Sequence, residues 1–97
     1  MQGSGLLTWN VTASDADDVS SAYDVPLSNP FNMGFGLNIS GGANVTLQFS
    51  FDKNDWFDHP YVTAQTTDVA GNIAFPVRSI RLFFVQPGNV IMSALIP

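Results

Sequence analysis

Residues 45–52 alternate apolar and polar side chains without a break, reading V-T-L-Q-F-S-F-D. Successive side chains of a β-strand point to opposite faces, so this period of two predicts a strand with one buried face. A helix would scatter the same apolar groups around its circumference. We therefore expect Val45, Leu47, Phe49 and Phe51 to point into a hydrophobic core that the rest of the chain has to supply.

The other apolar segments alternate in the same way. Strands are expected over residues 6–13, 22–27, 31–39, 61–67, 79–86 and 90–96, with a shorter apolar segment at 73–75. Turns or loops rich in Gly, Pro, Asn and Asp are expected at 14–21, 28–30, 68–72 and 87–89. No segment spaces its apolar residues three and four apart over a dozen positions, so no α-helix is predicted.

Seven or eight short strands predict an all-β fold, either an antiparallel β-sandwich or a jelly-roll-like barrel. The length of 97 residues fits a single domain over residues 1–97, in which residues 1–5 form a flexible or partner-contacting arm. The small residues at 40–42 predict a hairpin between strands 31–39 and 45–52. Gly34 and Gly36 share one strand face, which predicts the close approach of a backbone or an aromatic ring there. The apolar faces of the neighbouring strands add six further core residues, namely Phe35, Leu37, Ile80, Leu82, Met92 and Ala94.

Charged residues make up only 11% of the chain, against roughly 25% in typical soluble domains. A small protein with so few charged residues is expected to cover part of its surface by self-association or by docking on a larger assembly. The eight acidic residues are all Asp and give a net charge of −5. Nucleic-acid binding is not expected, because it needs clustered Lys and Arg. No leader with a basic and an apolar region is visible, and no apolar stretch approaches the roughly 20 residues that span a membrane. The absence of Cys excludes disulfides and thiol nucleophiles.

The last two strands, expected to pair as a hairpin, are apolar on both faces. On a lone monomer their second face would form an exposed patch, and such patches usually mark an interface. The alternative is that the hairpin lies centrally and is covered by a loop. Arg78 and Arg81 bracket Ile80 and are expected to pair with the Asp-rich loops or with a partner. The predicted interface comprises Arg78, Arg81, Phe83, Val85, Ile91 and Leu95. The expected assembly is most simply a homotrimer, with a dimer as the alternative.

Polar, titratable and aromatic groups crowd together between residues 52 and 60. The predicted contact loop comprises Asp55, Trp56, Phe57, Asp58 and His59. As an enzyme, the chain would use His59 as a base oriented by Asp58 or Asp55, but a single His and the lack of a sharp nucleophile turn argue against it. No catalytic, cofactor-binding or metal-binding residue is therefore assigned. In a structural role, Trp56 and Phe57 would cap an open end of the core, and His59-Pro60 would fix the entry to the next strand. In a glycan-binding role, Trp56, Tyr61 and Asp58 would form an exposed stacking platform.

The densest negative charge lies in the loop that contains Asp15, Asp17 and Asp18. A solvated turn is the simpler interpretation, since the alternating carboxylates of a known calcium loop are absent. A cation site in this loop is the alternative.

Three segments resemble a group of small virion structural proteins of tailed bacteriophages. They are N-P-F-N-M-G-F-G at 29–36, W-F-D-H-P at 56–60 and G-N-I-A-F-P-V-R-S-I-R-L at 71–82, and the resemblance extends over about residues 22–96. It implies a non-enzymatic component located on the phage particle, and no cofactor is expected. A capsid decoration (cement) protein that binds the major capsid protein would suit it, as would a structural or carbohydrate-binding module of a tail or fibre.

Overall fold

A computed structural model of the chain describes residues 5–25 and 32–96. These residues form nine β-strands and no helix. The strands are β1 (Gly5–Ala13), β2 (Asp18–Val19), β3 (Tyr23–Asp24), β4 (Met33–Ser40), β5 (Asn44–Ser50), β6 (Trp56–Asp58), β7 (Val69–Ile73), β8 (Ser79–Gln86) and β9 (Gly88–Ile96). The expected arm at 1–5 and the turn at 28–30 lie outside the described residues, except that Gly5 begins β1.

The strands form two antiparallel sheets that pack face to face. Sheet one has the order β1-β9-β4-β7, and sheet two has the order β2-β8-β5-β6, with β3 also paired to β8. The pairs are nested in sequence: β1 pairs with β9, β2 and β3 with β8, β4 with β7, and β5 with β6. The chain is thus one long hairpin that is rolled up so that β9 also pairs with β4 and β8 with β5. Two sheets of this order are a jelly roll, which confirms the all-β sandwich prediction.

The core contains the residues that alternation assigned to it, with one exception. Val45, Leu47 and Phe49 are buried, together with the six further core residues expected from the neighbouring strands. Phe51 is 53% exposed, so its assignment to the core was wrong. The chain turns before it, because the Ser50 hydroxyl accepts the N–H groups of Asp52 and Lys53 and the Ser50 carbonyl accepts the N–H of Arg78. β5 therefore ends at Ser50, and Phe51 no longer follows its pleat.

Both predicted hairpins are wrong in the same way. Residues 41–43 carry the chain from β4 in sheet one to β5 in sheet two, and Pro87 carries it from β8 in sheet two back to β9 in sheet one. Each connection is an arch across the core, so the apolar faces of the joined strands oppose each other instead of lying side by side. Gly41 and Gly42 supply the turn with φ angles of 70° and 82°, a region in which other residues are strained.

Residues 61–67 and 68–72 exchange their predicted roles. The threonine-rich segment is irregular and follows the edge of β5, where Gln65 bridges Val45 and the Val62 carbonyl accepts the N–H of Leu47. Conversely, the segment predicted as a turn forms most of β7, paired with β4. Its glycine has a packing reason, since a Cβ at Gly71 would lie 3.2 Å from the Phe35 ring. The close approach was expected above Gly34 and Gly36, where the space is in fact open.

Candidate interaction surfaces

The structure divides the predicted interface between opposite faces of the sandwich. Phe83 and Val85 lie on the outer face of sheet two, half-buried and exposed respectively. Ile91 and Leu95 lie on the outer face of sheet one, where they are 43% and 61% exposed. Because β8 and β9 belong to different sheets, these residues cannot form the single continuous patch that a terminal hairpin would have presented.

Four phenylalanines form a cluster at the side of the sandwich where β6 and β7 are the edge strands. Phe49 is buried, and its ring centroid lies 5.6 Å from that of Phe51, 5.9 Å from that of Phe57 and 5.1 Å from that of Phe75. Phe51, Phe57 and Phe75 are 53%, 48% and 40% exposed. Phe57 lies directly opposite Phe49 in the β5–β6 register, so the cluster continues the inner face of sheet two out to the surface. We call these four residues the phenylalanine cluster.

Hydrogen bonds hold the loop that carries Phe51. The Asp52 carboxylate accepts the N–H groups of Asp55 and Asn54 at 2.9 and 2.8 Å, and these bonds hold the pKa of that carboxyl below its usual value. Lys53 extends from the same loop to Asp24 on β3, with Nζ 2.7 Å from the carboxylate. Hydrogen bonds from Lys53 and from the Ser79 hydroxyl lower the pKa of Asp24 as well.

The lowered pKa values of Asp24 and Asp52 predict that the protein loses stability in acid. Their pKa values in the folded state lie below the ordinary value of an aspartate, 3.8, so their contribution is present at pH values above about 4 and is lost as pH falls through the folded-state pKa. The Asp52→Asn variant should therefore melt below the wild type at pH 7, and the difference should shrink as pH falls toward about 3. Thermal unfolding followed by circular dichroism across this range measures it. An unchanged difference at all pH values would contradict the prediction.

A row of side chains crosses the outer face of sheet two from β8 to β6. The Arg81 guanidinium carbon lies 4.2 Å from the centroid of the Trp56 ring, and its Nε donates to Gln48 Oε1 at 2.7 Å. Gln48 Nε2 in turn donates to Asp58 Oδ1 at 2.9 Å. Burial lowers the pKa of Arg81. Arg81 was expected to pair with the Asp-rich loops or with a partner; within the chain it packs on Trp56 and donates to Gln48 and pairs with none of the described carboxylates. Trp56 therefore lies on this outer face and does not cap the core.

His59 is 3% exposed and joins the two sheets. Its Nδ1 accepts the N–H of Tyr61, so its Nε2 must carry the proton, and Nε2 donates to the Asn72 carbonyl on β7. Its ring meets the Phe35 ring edge-on at 5.5 Å. Both ring nitrogens are thus engaged by backbone groups, and Asp58 is bonded to Gln48. This arrangement anchors the segment after His59, as the sequence suggested, and does not provide a base paired with a carboxylate.

The acidic loop is held by one hydrogen bond within it and by another from the Asp17 N–H to the Phe84 carbonyl on β8. Asp18 accepts the N–H of Asp15 at 3.2 Å, and Asp17 has a φ of 64°. Within residues 5–25 and 32–96, no three His, Cys, Asp or Glu side chains come close enough together to hold a metal ion.

The strands of sheet one contain no ionisable residue, a feature that sequence reasoning missed. β1, β4, β7 and β9 lack Asp, Glu, Lys, Arg and His. We call the outward-facing residues of these strands the charge-free face. Asp68 lies at its border, where its carboxylate accepts the N–H of Ile39 at 2.9 Å. The lack of ionisable residues in each of these segments can be read from the sequence, but only the topology shows that the four strands share a sheet.

A trough in the charge-free face runs beside Leu95. It has a volume of about 190 Å³ and is lined by Gly34, Phe35, Ser93, Ala94 and Leu95. A Cβ added at Gly34 would meet nothing within 4 Å, so the missing side chain of this residue leaves the space open.

No protein-family model matches the chain, and no curated protein is significantly similar to it in sequence. In the part of the chain that the structure describes, no helix has the length and apolar character needed to cross a membrane.

Proposed function

We propose that the chain is a non-enzymatic structural subunit of a bacteriophage particle, a decoration protein that attaches to the major capsid protein through the phenylalanine cluster. The observation that carries the proposal is the exposure of three aromatic rings, each close to half exposed, on one side of a jelly roll. The phage particle is suggested by the segments at 29–36, 56–60 and 71–82. Jelly rolls occur in viral capsid proteins and in lectins, so the fold alone does not choose between these functions.

The phenylalanine cluster has the properties of an anchor. Aromatic side chains dominate the energetics of many interfaces when they enter a desolvated pocket. Burying the exposed half of each ring would contribute about 1 kcal/mol, or roughly 3 kcal/mol for the three. Phe51 and Phe57 are held by the buried Phe49 ring and by the hydrogen-bonded loop. Little conformational entropy is therefore lost when they bind.

Charge indicates which surface would receive the cluster. Asp52 and Asp55 are exposed in the loop that carries Phe51, and the chain has a net charge of −5. A complementary site on the capsid protein would be an apolar pocket with Lys or Arg at its rim. Attachment would then weaken as the salt concentration rises.

Adding the purified chain back to particles that lack it tests the proposal. Phe51→Ser should reduce occupancy at a fixed concentration by about tenfold or more, the loss expected for one hot-spot aromatic. Val85→Ser, an exposed apolar residue on the other side of the molecule, is the matched control and should bind as the wild type does. Melting temperatures show whether each variant is folded. Equal binding of the Phe51→Ser variant would overturn the role of the cluster.

A second candidate function is glycan binding by a tail or fibre module. The row of Trp56, Arg81, Gln48 and Asp58 combines an aromatic ring with planar polar groups, as sugar sites do. Arg81 covers one face of the Trp56 ring, which leaves less of that ring for stacking and favours the decoration role. Cryo-electron microscopy of the parent virion separates the two, because density on the tail tip together with glycan-array binding would replace the head assignment.

A further inference from the structure

We infer that the charge-free face of sheet one binds a second copy of this chain across a two-fold axis. The inference does not depend on the phage particle or on the phenylalanine cluster, which lies at the β6–β7 side of the sandwich. It rests on three properties of the face, namely its charge, its shape and its area.

The charge distribution favours contact between two copies at this face. Each copy carries a net charge of −5, so most approaches would bring like charges together. The outer face of sheet two carries Arg81 and Asp58, and the loops carry most of the other Asp residues. The strands of sheet one contain none of these groups, with Asp68 only at the border. Two copies that meet at this face therefore bury no ionised side chain from these strands.

The shape of the face is self-complementary. Leu95 is 61% exposed, and it lies directly opposite Gly34 in the β4–β9 register, beside the trough. A two-fold axis requires that residue i contacts residue j and that j contacts i. A protruding leucine next to an open trough meets this requirement, because Leu95 of each copy can enter the trough of the other. The trough of about 190 Å³ is large enough, since cavities of about 150 Å³ hold a benzene ring.

Polar side chains around this contact can form hydrogen bonds without bringing charge. Asn10, Asn38 and Asn72 point outward and are exposed, and Ile91 lies between the first two in the register of β1, β9 and β4. The face therefore combines two exposed apolar side chains, Ile91 and Leu95, with uncharged polar groups, and interfaces of non-obligate complexes are mixed in this way.

The area of the face predicts a weak dimer. The four strands contain 9, 9, 8 and 5 residues, and at about 3.3 Å per residue and about 4.8 Å between strands they cover roughly 490 Å² per copy. The total of about 1,000 Å² lies at the lower limit for a specific interface. The dimer should therefore form at micromolar concentrations and dissociate on dilution.

Sedimentation velocity from about 5 to about 500 µM measures the association. We expect a monomer–dimer equilibrium that Leu95→Ser and Gly34→Val each weaken by about tenfold or more. A Cβ at Gly34 meets nothing within 4 Å and valine favours a strand, so we expect Gly34→Val to fill the trough without disturbing the monomer. Its melting temperature as a monomer should therefore not fall. Val85→Ser is the matched control for the loss of an exposed aliphatic side chain and should dimerise as the wild type does.

Cysteine cross-linking tests the register, because the chain contains no Cys of its own. A mixture of Leu95→Cys and Gly34→Cys copies should form a disulfide-linked dimer under mild oxidation, and a mixture of Val85→Cys and Gly34→Cys copies should not. A monomer throughout the concentration range, a trimer, or a dimer that is insensitive to both Leu95→Ser and Gly34→Val would overturn the inference. Loss of the dimer in Phe51→Ser would also overturn it, by moving the contact to the phenylalanine cluster.

Discussion

Replacing Phe84 with alanine is expected to lower the free energy of unfolding by about 3 to 5 kcal/mol. Phe84 is fully buried and is the largest such side chain in the described residues. It lies on β8, opposite Val45 of β5 and Asp18 of β2, so strands on both sides restrict collapse around the cavity that alanine would leave. A domain of this size has roughly 5 to 15 kcal/mol of stability in total, so a large part of it would be lost.

Urea unfolding monitored by tryptophan fluorescence or circular dichroism measures the loss from Phe84→Ala. Phe51→Ala is the matched control, because it removes the same atoms from a ring that is 53% exposed, and its cost should stay below about 1 kcal/mol. Similar losses in both variants would mean that Phe51 is buried as residue alternation alone suggests. A small loss for Phe84→Ala would contradict the described core.

Alternation predicts which side chains of a strand are buried as long as the backbone stays extended. Residues 79–86 were predicted as a strand with Ile80 and Leu82 inward, and β8 has those bounds and that orientation. The method fails at Phe51, because the pattern continues for one period after the Ser50 hydrogen bonds have turned the chain. Periodicity describes side-chain direction along an extended backbone and contains no information on where the backbone bends.

Strand neighbours could not be predicted from local patterns. Residues 40–42 have the composition of a hairpin turn, yet they connect strands of different sheets. A hairpin and an arch would both bury the apolar faces of β4 and β5, so the local pattern cannot distinguish them. What decides between them is the pairing of β4 with β7 and β9, which are more than 25 residues away in sequence. The strand β7 was missed for a related reason, since its Gly71 is explained only by the Phe35 ring on the neighbouring strand.

The candidate surfaces were predictable in part. The sequence predicted a contact loop that includes Phe57, and in the structure the rings of Phe51 and Phe75 join Phe57 in one cluster. Phe51 had been assigned to the core, and Phe75 is distant in sequence, so only the fold brings the three rings together. The charge-free face combines strands from both ends of the chain and the middle, and for that reason no single segment indicates it.

Gly88→Ala should destabilise the protein by about 1 to 3 kcal/mol through overpacking. The arch before β9 passes so close to the arch before β5 that a Cβ at Gly88 would lie 2.6 Å from both the backbone nitrogen and the Cβ of Ala43. A flexible side chain could move away, but the backbone nitrogen cannot move without opening the connection between the sheets. Gly88 also has a φ of 156°, which other residues rarely adopt.

Gly36→Ala is the matched control for Gly88→Ala. A Cβ at Gly36 meets nothing within 4 Å, and the substitution reduces the freedom of the unfolded chain, so stability should be unchanged or rise by up to about 1 kcal/mol. Adding Ala43→Gly to Gly88→Ala removes the Cβ contact but leaves the contact with the backbone nitrogen, so only part of the stability should return. Equal melting temperatures for Gly88→Ala and the wild type would show that the two arches do not pack as described. Full rescue by Ala43→Gly would show that the Cβ contact alone, and not the approach of the backbone, requires glycine at this position.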